Sequence, residues 1–282
     1  MTHSSGIPAL DHVVVNVHGE LDESVARYER LGFLVTERGH HSLGSSNNLA
    51  VFQNTYLELL GYLPGRNELR PGLWVHPPGL SGLVFKNAEP GKLYDELVSR
   101  GLPVLEPLEF SRPVDLPTGP EDAAFTVVRI DGDAVQNGRT FFCCHHTPEL
   151  VWRPEWQKHP NGATDIVGFV IATADPDRAV SPFRAMFENS PILPAEGGFQ
   201  MQAGTARIEF LTPETVEARF HGAALTSPNG TDRMVAISLH TGTPRFLQDL
   251  LTRNEVPRIE LPDGSTVIEH RQAANVAVHF VA

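Results

Sequence analysis

The chain has 282 residues, of which 41% are hydrophobic and 20% charged, and its formal net charge is -12. This length and composition predict a folded protein, with two domains as the expectation, and argue against disorder. The acidic balance argues against nucleic acid as a partner, because nucleic-acid binding depends on Lys and Arg neutralising phosphates. Residues 1–6 lack the pattern of a signal peptide and no apolar run reaches membrane-spanning length, so the prediction is a cytoplasmic protein without a membrane partner.

The first candidate element is an apolar run at Leu10–Val17 that contains His12. Acidic residues at 22–23 and apolar residues at helical spacing then predict a helix that stops at Gly32. A polar loop over 39–48 leads to two paired strands, 49–52 and Tyr56–Leu60. The segment therefore predicts one unit of strand, helix and three strands.

The same layout recurs three more times along the chain. A second unit opens at Gly82, has a helix ending at Gly101 and closes with strands at 125–130 and 139–144. The Pro-rich stretch 107–120 within it predicts an irregular excursion at a cavity mouth. The third unit comprises 166–171, a helix over 178–187 and 206–211, and the fourth comprises 234–239, a helix over 245–253 and 275–281.

Two further segments are informative. The connector over 148–163 is rich in aromatic residues and proline, which predicts a packed segment, with Trp152 and Trp156 in the core between the two halves. The only cysteines, Cys143 and Cys144, are adjacent. This arrangement excludes a disulfide framework and a structural zinc site built from thiolates.

Glu58 is the most unusual residue of the first unit, because leucines flank it on an apolar strand. A carboxylate in such a place needs a cation, a hydrogen-bond donor or a ligand. Glu58 is therefore the candidate catalytic residue, either as a metal ligand or as a general base whose pKa desolvation raises. The two roles compete, since a carboxylate held on a metal is a poor proton acceptor.

The fourfold layout resembles the vicinal oxygen chelate superfamily, and the segments around His12, Glu58 and the connector are similar to its glyoxalase-like group. The resemblance implies an α+β fold of four βαβββ modules, paired into two curled eight-stranded cups with helices outside. The expected divisions are an N-terminal glyoxalase-like domain at 8–147, a connector at 148–164 and a degenerate C-terminal glyoxalase-like domain at 165–282.

The resemblance also implies site residues. His12 matches the first-strand metal ligand and Glu58 the last-strand ligand, whereas Gly82 stands where the second module would supply its ligand. Aligning Tyr56-Leu57-Glu58 with Phe141-Phe142-Cys143 places Cys143 opposite Glu58, with His145 on the same face; a register slipped by one would present Cys144 and His146 instead. His12, Glu58 and His145 would hold a divalent metal ion, Fe, Mn, Zn or Ni. The expected substrate-binding residues are His41, Ser45, Asn47 and Tyr56.

The second cup offers fewer candidates. Gly168 and Ala236 occupy the first-strand positions, leaving Glu209 and His279, which can satisfy each other through a buried hydrogen bond. We expect this half to be structural or to act as a lid.

The function that the resemblance favours is a metal-assisted lyase or isomerase acting on a small oxygen-bearing metabolite in the N-terminal cup. The alternative is a metal-free protein that binds and sequesters a small molecule, as antibiotic-resistance proteins of this superfamily do, and Gly82 favours it. A noncatalytic regulatory or scaffold role has the least support. A homodimer is among the expected states, because cups of this kind can be completed between chains.

Overall fold

The structure, a computed structural model, describes residues 7–116, 118–132 and 136–282. Residues 1–6, considered above for a signal peptide, lie outside this range. The chain forms two eight-stranded mixed sheets with helices packed against them. This architecture confirms the predicted α+β fold of four βαβββ modules in two cups. No helix in the described ranges is long and apolar enough to cross a membrane.

The first sheet has the strand order β2-β3-β4-β1-β5-β8-β7-β6. Its elements are β1 (Leu10–His18), α1 (Leu21–Arg30), β2 (Gly39–His40), β3 (Ser46–Val51), β4 (Tyr56–Gly61), α2 (Pro71–Trp74), β5 (Gly79–Lys86), α3 (Pro90–Ser99), β6 (Val104–Leu116), β7 (Gly119–Ile130) and β8 (Arg139–His145).

The second sheet repeats this order as β10-β11-β12-β9-β13-β16-β15-β14. Its elements are β9 (Ala163–Ala172), α4 (Pro176–Met186), β10 (Ile192–Ala195), β11 (Gly198–Ala203), β12 (Ala206–Leu211), α5 (Pro213–Phe220), β13 (Arg233–Thr241), α6 (Pro244–Arg253), β14 (Ile259–Glu260), β15 (Thr266–Ile268) and β16 (Ala277–Val281).

The helix-bearing outer faces of the two sheets share one apolar core. Alternate residues of β1, such as Val13 and Val15, point into this core together with Phe169 of β9. Phe33 and Phe280, from opposite halves of the chain, stack with their ring centroids 6.0 Å apart. The concave inner faces of the two cups carry separate apolar clusters.

The pairing of β1 with β5 relates the first two modules by an approximate twofold axis. The strands are antiparallel, with His12 opposite Val84 and Val14 opposite Gly82. A twofold axis through this pair exchanges His12 with Gly82 and Val14 with Val84. Gly82 therefore occupies the place of His12 in the second module, as the sequence predicts.

The outer neighbours of this central pair show that the alignment of Glu58 with Cys143 is wrong by two residues. Glu58 of β4 lies beside Val14, whereas Phe141 of β8 lies beside Val84, the twofold equivalent of Val14. Phe141 is thus the counterpart of Glu58. By the same register, Arg139 is the counterpart of Tyr56.

Helix α5 occupies the concave face of the second cup. Its residues Val216 and Phe220 are fully buried in the apolar cluster there. Glu209 forms an ion pair with Arg219 at 2.8 Å, and His279 contacts Ser238 and Ser265. The prediction of a hydrogen bond between Glu209 and His279 is therefore wrong. Helix α5 fills the concave face of the second cup.

The Pro-rich stretch is not the irregular excursion that the sequence predicts. It falls largely in β6, which pairs with β7 from Val104 to Leu116 and forms the edge of the sheet. An edge strand tolerates proline because one of its sides has no hydrogen-bonding partner. Pro107 coincides with a break in register between Leu105 and Leu108.

The connector contains two 3₁₀ turns, Pro148–Leu150 and Pro154–Trp156. Trp152 and Trp156 pack against the inner cluster of the first cup, so the prediction that they fill the core between the halves is wrong. The ring centroid of Trp152 lies 4.7 Å from that of His145 and 5.7 Å from that of Tyr56. The connector thus forms part of the wall behind the candidate site.

Candidate functional site

A β-bulge at the start of β1 brings two neighbouring side chains into contact on the inner face. Leu10 pairs with Phe85 and His12 with Val84, so β1 has one residue more than β5 at this point. Bulges redirect side chains that strand alternation would otherwise place on opposite faces. Asp11 and His12 consequently meet, with 2.5 Å between Asp11 Oδ1 and His12 Nδ1.

Asp11 also contacts His145 of β8, whose Nε2 lies 3.0 Å from the same carboxylate oxygen. Burial alone would raise the pKa of the Asp11 carboxyl, but His145 and His12 lower it overall, so Asp11 is ionised. An ionised Asp11 accepts hydrogen bonds from both rings. In neutral His12 the proton is then on Nδ1, and Nε2 carries a lone pair.

A cavity of about 710 Å³, counting its opening to solvent, occupies the first cup. His12 and Glu58 both line it, and 4.0 Å separates His12 Nε2 from Glu58 Oε2. The rest of its wall is formed mainly by Leu43, Leu49, Leu60, Leu108, Phe110, Phe125, Val127, Phe141, Cys143 and Val151, together with four arginines.

Glu58 is held through only one of its carboxylate oxygens. Asn47 Nδ2 donates to Glu58 Oε1 over 2.7 Å, and His41 Nε2 lies 3.7 Å from that oxygen. None of the described residues donates a hydrogen bond to Oε2. Burial raises the pKa of Glu58, but His41, His12 and Asn47 together bring it below its ordinary value. The expectation of a raised pKa is therefore wrong.

The residues predicted to bind substrate cluster around this carboxylate. His41, Asn47 and Tyr56 line the cavity. Ser45 supports them, because its hydroxyl lies 2.9 Å from His41 Nδ1 and 3.0 Å from Arg70 Nη1. Tyr56 stacks on the His12 ring with 4.2 Å between centroids. Burial lowers the pKa of His41 to about 4, so this ring is neutral near pH 7.

His145 lies behind His12, where Trp152 and Phe125 pack against its ring. Its Nε2 reaches Asp11, and its Nδ1 is buried with no hydrogen-bond partner. Asp11, His12 and His145 each offer a ligand atom within 4.8 Å of the others, which makes them a potential metal-binding group. The structure thus gathers Asp11, not Glu58, with the two histidines.

Asp11 and the four arginines of the cavity are not among the site residues predicted from the sequence; the arginines are Arg70, Arg112, Arg129 and Arg139. Three of these arginines each lie two residues from an apolar residue that lines the same wall. The pairs are Phe110 and Arg112 on β6, Val127 and Arg129 on β7, and Arg139 and Phe141 on β8. This spacing is visible in the sequence, because residues two apart in a strand lie on the same face of the sheet. The pairs on β7 and β8 lie in strands that the sequence predicts, and only β6 was not predicted as a strand.

Residues 10–187 match the family model of the glyoxalase-like domain. The chain belongs to this family. No curated protein gives a significant match to the glyoxalase-like chain.

Solved structures share its fold along nearly the whole length. A hypothetical protein from Staphylococcus aureus has a TM-score of 0.68 at 11% identity, with 98% of this chain and 99% of that chain covered. A mutant of 4-hydroxymandelate synthase from Streptomyces coelicolor has a TM-score of 0.55 at 11% identity, covering 98% and 92%. A fusion of a xylose isomerase-like TIM barrel with 4-hydroxyphenylpyruvate dioxygenase gives 0.55 at 10% identity, covering 99% of this chain and 50% of that chain.

The donors of this glyoxalase-like cup suit a divalent metal ion on chemical grounds. An imidazole nitrogen and a carboxylate oxygen are ligands that divalent transition metals bind, and 4.0 Å separates His12 Nε2 from Glu58 Oε2. With bonds of roughly 2.0–2.2 Å, neighbouring ligands of one ion lie roughly 2.8–3.6 Å apart, so the two side chains would have to approach each other to hold it. Asp11 bonds the far nitrogen of His12, as carboxylates behind metal-bound histidines commonly do. The donor types present therefore fit an ion held by His12 and Glu58.

Proposed function

We propose that the N-terminal cup is the active site of a lyase or isomerase of the glyoxalase kind, acting on a small oxygen-bearing metabolite. One observation carries the proposal: Asp11 orients His12 so that its Nε2 faces the free oxygen of Glu58 across 4.0 Å at the cavity wall. A nitrogen lone pair and an ionised carboxylate at this separation can act on one bound molecule.

Each residue has a defined part in the proposal. Asp11 is a positioning residue that fixes the proton on His12 Nδ1, and His145 holds Asp11 from the other side. Glu58 Oε2 accepts a proton from the substrate, while Asn47 keeps the carboxylate in place through Oε1. Tyr56 prevents rotation of the His12 ring by stacking on it.

A divalent metal ion, when bound, would be held by His12 and Glu58 and would supply Lewis acidity toward substrate oxygens. Both roles would use Oε2, because Asn47 occupies Oε1, so Glu58 could accept a substrate proton only when Oε2 is not bound to the ion. His145, expected from the sequence to be a third ligand, supports the proposal through Asp11. Whether its ring also ligates is an outcome of the test below.

The test is elemental analysis of the purified protein after incubation with Mn(II), Fe(II), Ni(II) or Zn(II) and removal of the excess. We expect close to one ion per chain in the wild type and loss of the ion in the His12→Ala and Glu58→Gln variants. His221→Asn, at an exposed position of the second half, is the matched control and should keep the ion. Loss of the ion in His145→Gln with retention in Glu58→Gln would indicate instead that the metal is bound by Asp11, His12 and His145.

A second function has support from a specific observation. Gly82 and Phe141 occupy the twofold-related positions of His12 and Glu58, so the second module supplies no ligand there. A cup with ligands at these positions of one module only favours a metal-free protein that binds a small molecule without converting it. Recovery of a bound ligand unchanged after long incubation would support this alternative, whereas its consumption would support the enzyme.

The proposal also includes a cytoplasmic location, a homodimer and a division into two domains with a connector. A cytoplasmic location agrees with Cys143 and Cys144 being free thiols, since reducing compartments keep cysteines in that state. Light scattering of the purified protein tests the homodimer. Limited proteolysis tests the proposed division at 8–147, 148–164 and 165–282.

A further inference from the structure

The cavity of the first cup has a positive charge that the rest of the chain does not share. Arg70, Arg112, Arg129 and Arg139 line it, and Glu58 is the one carboxylate among the described residues of its wall. Four cations against Glu58 and the ionised Asp11 behind His12 leave an excess of two positive charges when the histidines are neutral. The chain as a whole has a formal net charge of -12, so this concentration of arginine is local.

Three of these four guanidinium groups have a buried nitrogen without an acceptor among the described residues. Arg112 Nη2, Arg129 Nε and Arg139 Nε are buried and have no hydrogen-bond partner. Only Arg70 donates to another side chain of the described structure, over 3.0 Å to Ser45. Buried charged groups without partners are costly, so the fold tolerates this arrangement only where a ligand or solvent completes it.

The absence of a side chain at Gly39 leaves room for Arg112. Arg112 is only 4% exposed, and it passes directly over Gly39, where a Cβ atom would overlap Arg112 Cδ. Arg139 faces the cavity from the position that Tyr56 occupies in the first module. Arg70, Arg129 and Arg139 additionally line an adjoining open hollow, which places them between the cavity and solvent.

Arg139 remains a cation near neutral pH. Burial lowers the pKa of Arg139 to about 10, and the neighbouring Arg70 contributes to the decrease. Burial likewise lowers the pKa of Arg112. A bound anion would relieve both the desolvation and the mutual repulsion.

We propose that the ligand of this cavity is an organic acid with an apolar body, whose carboxylate is bound by the neighbouring Arg70, Arg129 and Arg139, while Arg112 adds positive charge to the same cavity. Guanidinium groups bind carboxylates through paired hydrogen bonds. The wall beside them, including Leu108, Phe110, Phe125 and Phe141, suits an apolar body. The inference rests on the proposed function only in taking this cavity as the substrate site.

Isothermal titration calorimetry with phenylacetate, its neutral analogue phenylacetamide, and inorganic phosphate tests the inference on the wild-type protein. We expect phenylacetate to bind roughly tenfold or more tightly than phenylacetamide, since the amide cannot pair with the guanidinium charge. Phosphate should bind more weakly than phenylacetate. Equal affinity for the acid and the amide, or tighter binding of phosphate, would overturn the assignment without any variant having to fold.

Variants then locate the anion. Arg129→Gln and Arg139→Gln should each weaken phenylacetate binding by roughly ten- to a hundredfold, with little change for phenylacetamide. Arg245→Gln, at an exposed position of the second half, is the control and should bind as the wild type does. Unchanged phenylacetate affinity in both cavity variants would exclude the arginines as its binding site.

Glu58→Gln separates this inference from the proposed function. The substitution removes the only carboxylate described in the cavity wall, so phenylacetate should bind as tightly as before or more tightly, while bound metal is lost. Acid preference in a protein that takes up no metal would refute the metal-assisted enzyme alone. Metal uptake at His12 and Glu58 without acid preference would refute the organic acid alone.

Discussion

Asp11 accepts a hydrogen bond from His12, its neighbour in the same strand, over 2.5 Å. Adjacent residues of a regular strand point to opposite faces, so this contact depends on the bulge that lets both side chains reach the inner face of the cup. The consequence is a histidine whose second nitrogen is fixed toward Glu58.

Asp11→Asn should weaken metal binding by about 10- to 100-fold, because the uncharged amide no longer fixes the proton on His12 Nδ1. Calorimetric titration with Zn(II) measures the effect. Asp165→Asn is the matched control, since Asp165 is also buried but binds Thr55 and Asn54 away from the cavity. Equal metal affinity in wild type and Asp11→Asn would exclude the positioning role.

The stability of the protein should fall as the pH is lowered from about 6.5 toward 4. Burial lowers the pKa of both His41 and His279 from 6.5 to about 4. The unfolded chain therefore binds protons in this window that the folded chain does not, and the free energy of unfolding decreases as the pH decreases. Urea denaturation at several pH values measures this slope. His41→Asn and His279→Asn should each flatten it, and a slope unchanged in both variants would contradict the prediction.

Gly82→Ala should destabilise the protein by about 1–3 kcal/mol through overpacking. A Cβ atom at Gly82 would lie 2.7 Å from Cβ and Cγ2 of Val14, which are attached too close to the backbone to move away. Gly91 in α3 has no atom within 4 Å of such a Cβ, so Gly91→Ala should stabilise by about 0.5–1 kcal/mol. Chemical denaturation of the two variants compares the signs, and destabilisation of equal size in both would refute the steric explanation.

Phe220→Ala should destabilise the protein by about 3–5 kcal/mol, because it removes a fully buried side chain from the helix that fills the second cup. Metal and phenylacetate binding should remain as in the wild type, since their site lies in the first cup. Thermal unfolding and calorimetry on the same sample measure the two effects. Loss of binding in a variant that is still folded would mean that the second cup contributes to the site.

The four modules could be predicted from the sequence because their signals are local. The apolar alternation from Leu10, the helix ending at Gly32 and the strand around Glu58 each depend on residues close in the chain. The twofold relation between His12 and Gly82 followed from the repeated layout. The elements so predicted were enough to identify the fold class and the cup that carries the cavity.

The parts of the site that could not be predicted depend on register and on departures from ideal geometry. Asp11 enters the site through a bulge, which no alternation pattern reveals. The counterpart of Glu58 was misassigned because the pairing register of β8 with β5 was not known, and a shift of two residues exchanges Cys143 for Phe141. Arg112 lies in β6, where the prolines of the stretch 107–120 led to the prediction of an excursion instead of a strand.

The central claim is that Asp11 presents His12 to Glu58 so that the two groups act on one guest in the first cup. A crystal structure of the protein grown with Mn(II), with anomalous scattering data, tests it most directly. The account predicts an anomalous peak between His12 Nε2 and Glu58 Oε2, with Asp11 still bonded to His12 Nδ1. A peak at the contact between Asp11 and His145, or no peak in the cup at saturating Mn(II), would contradict it.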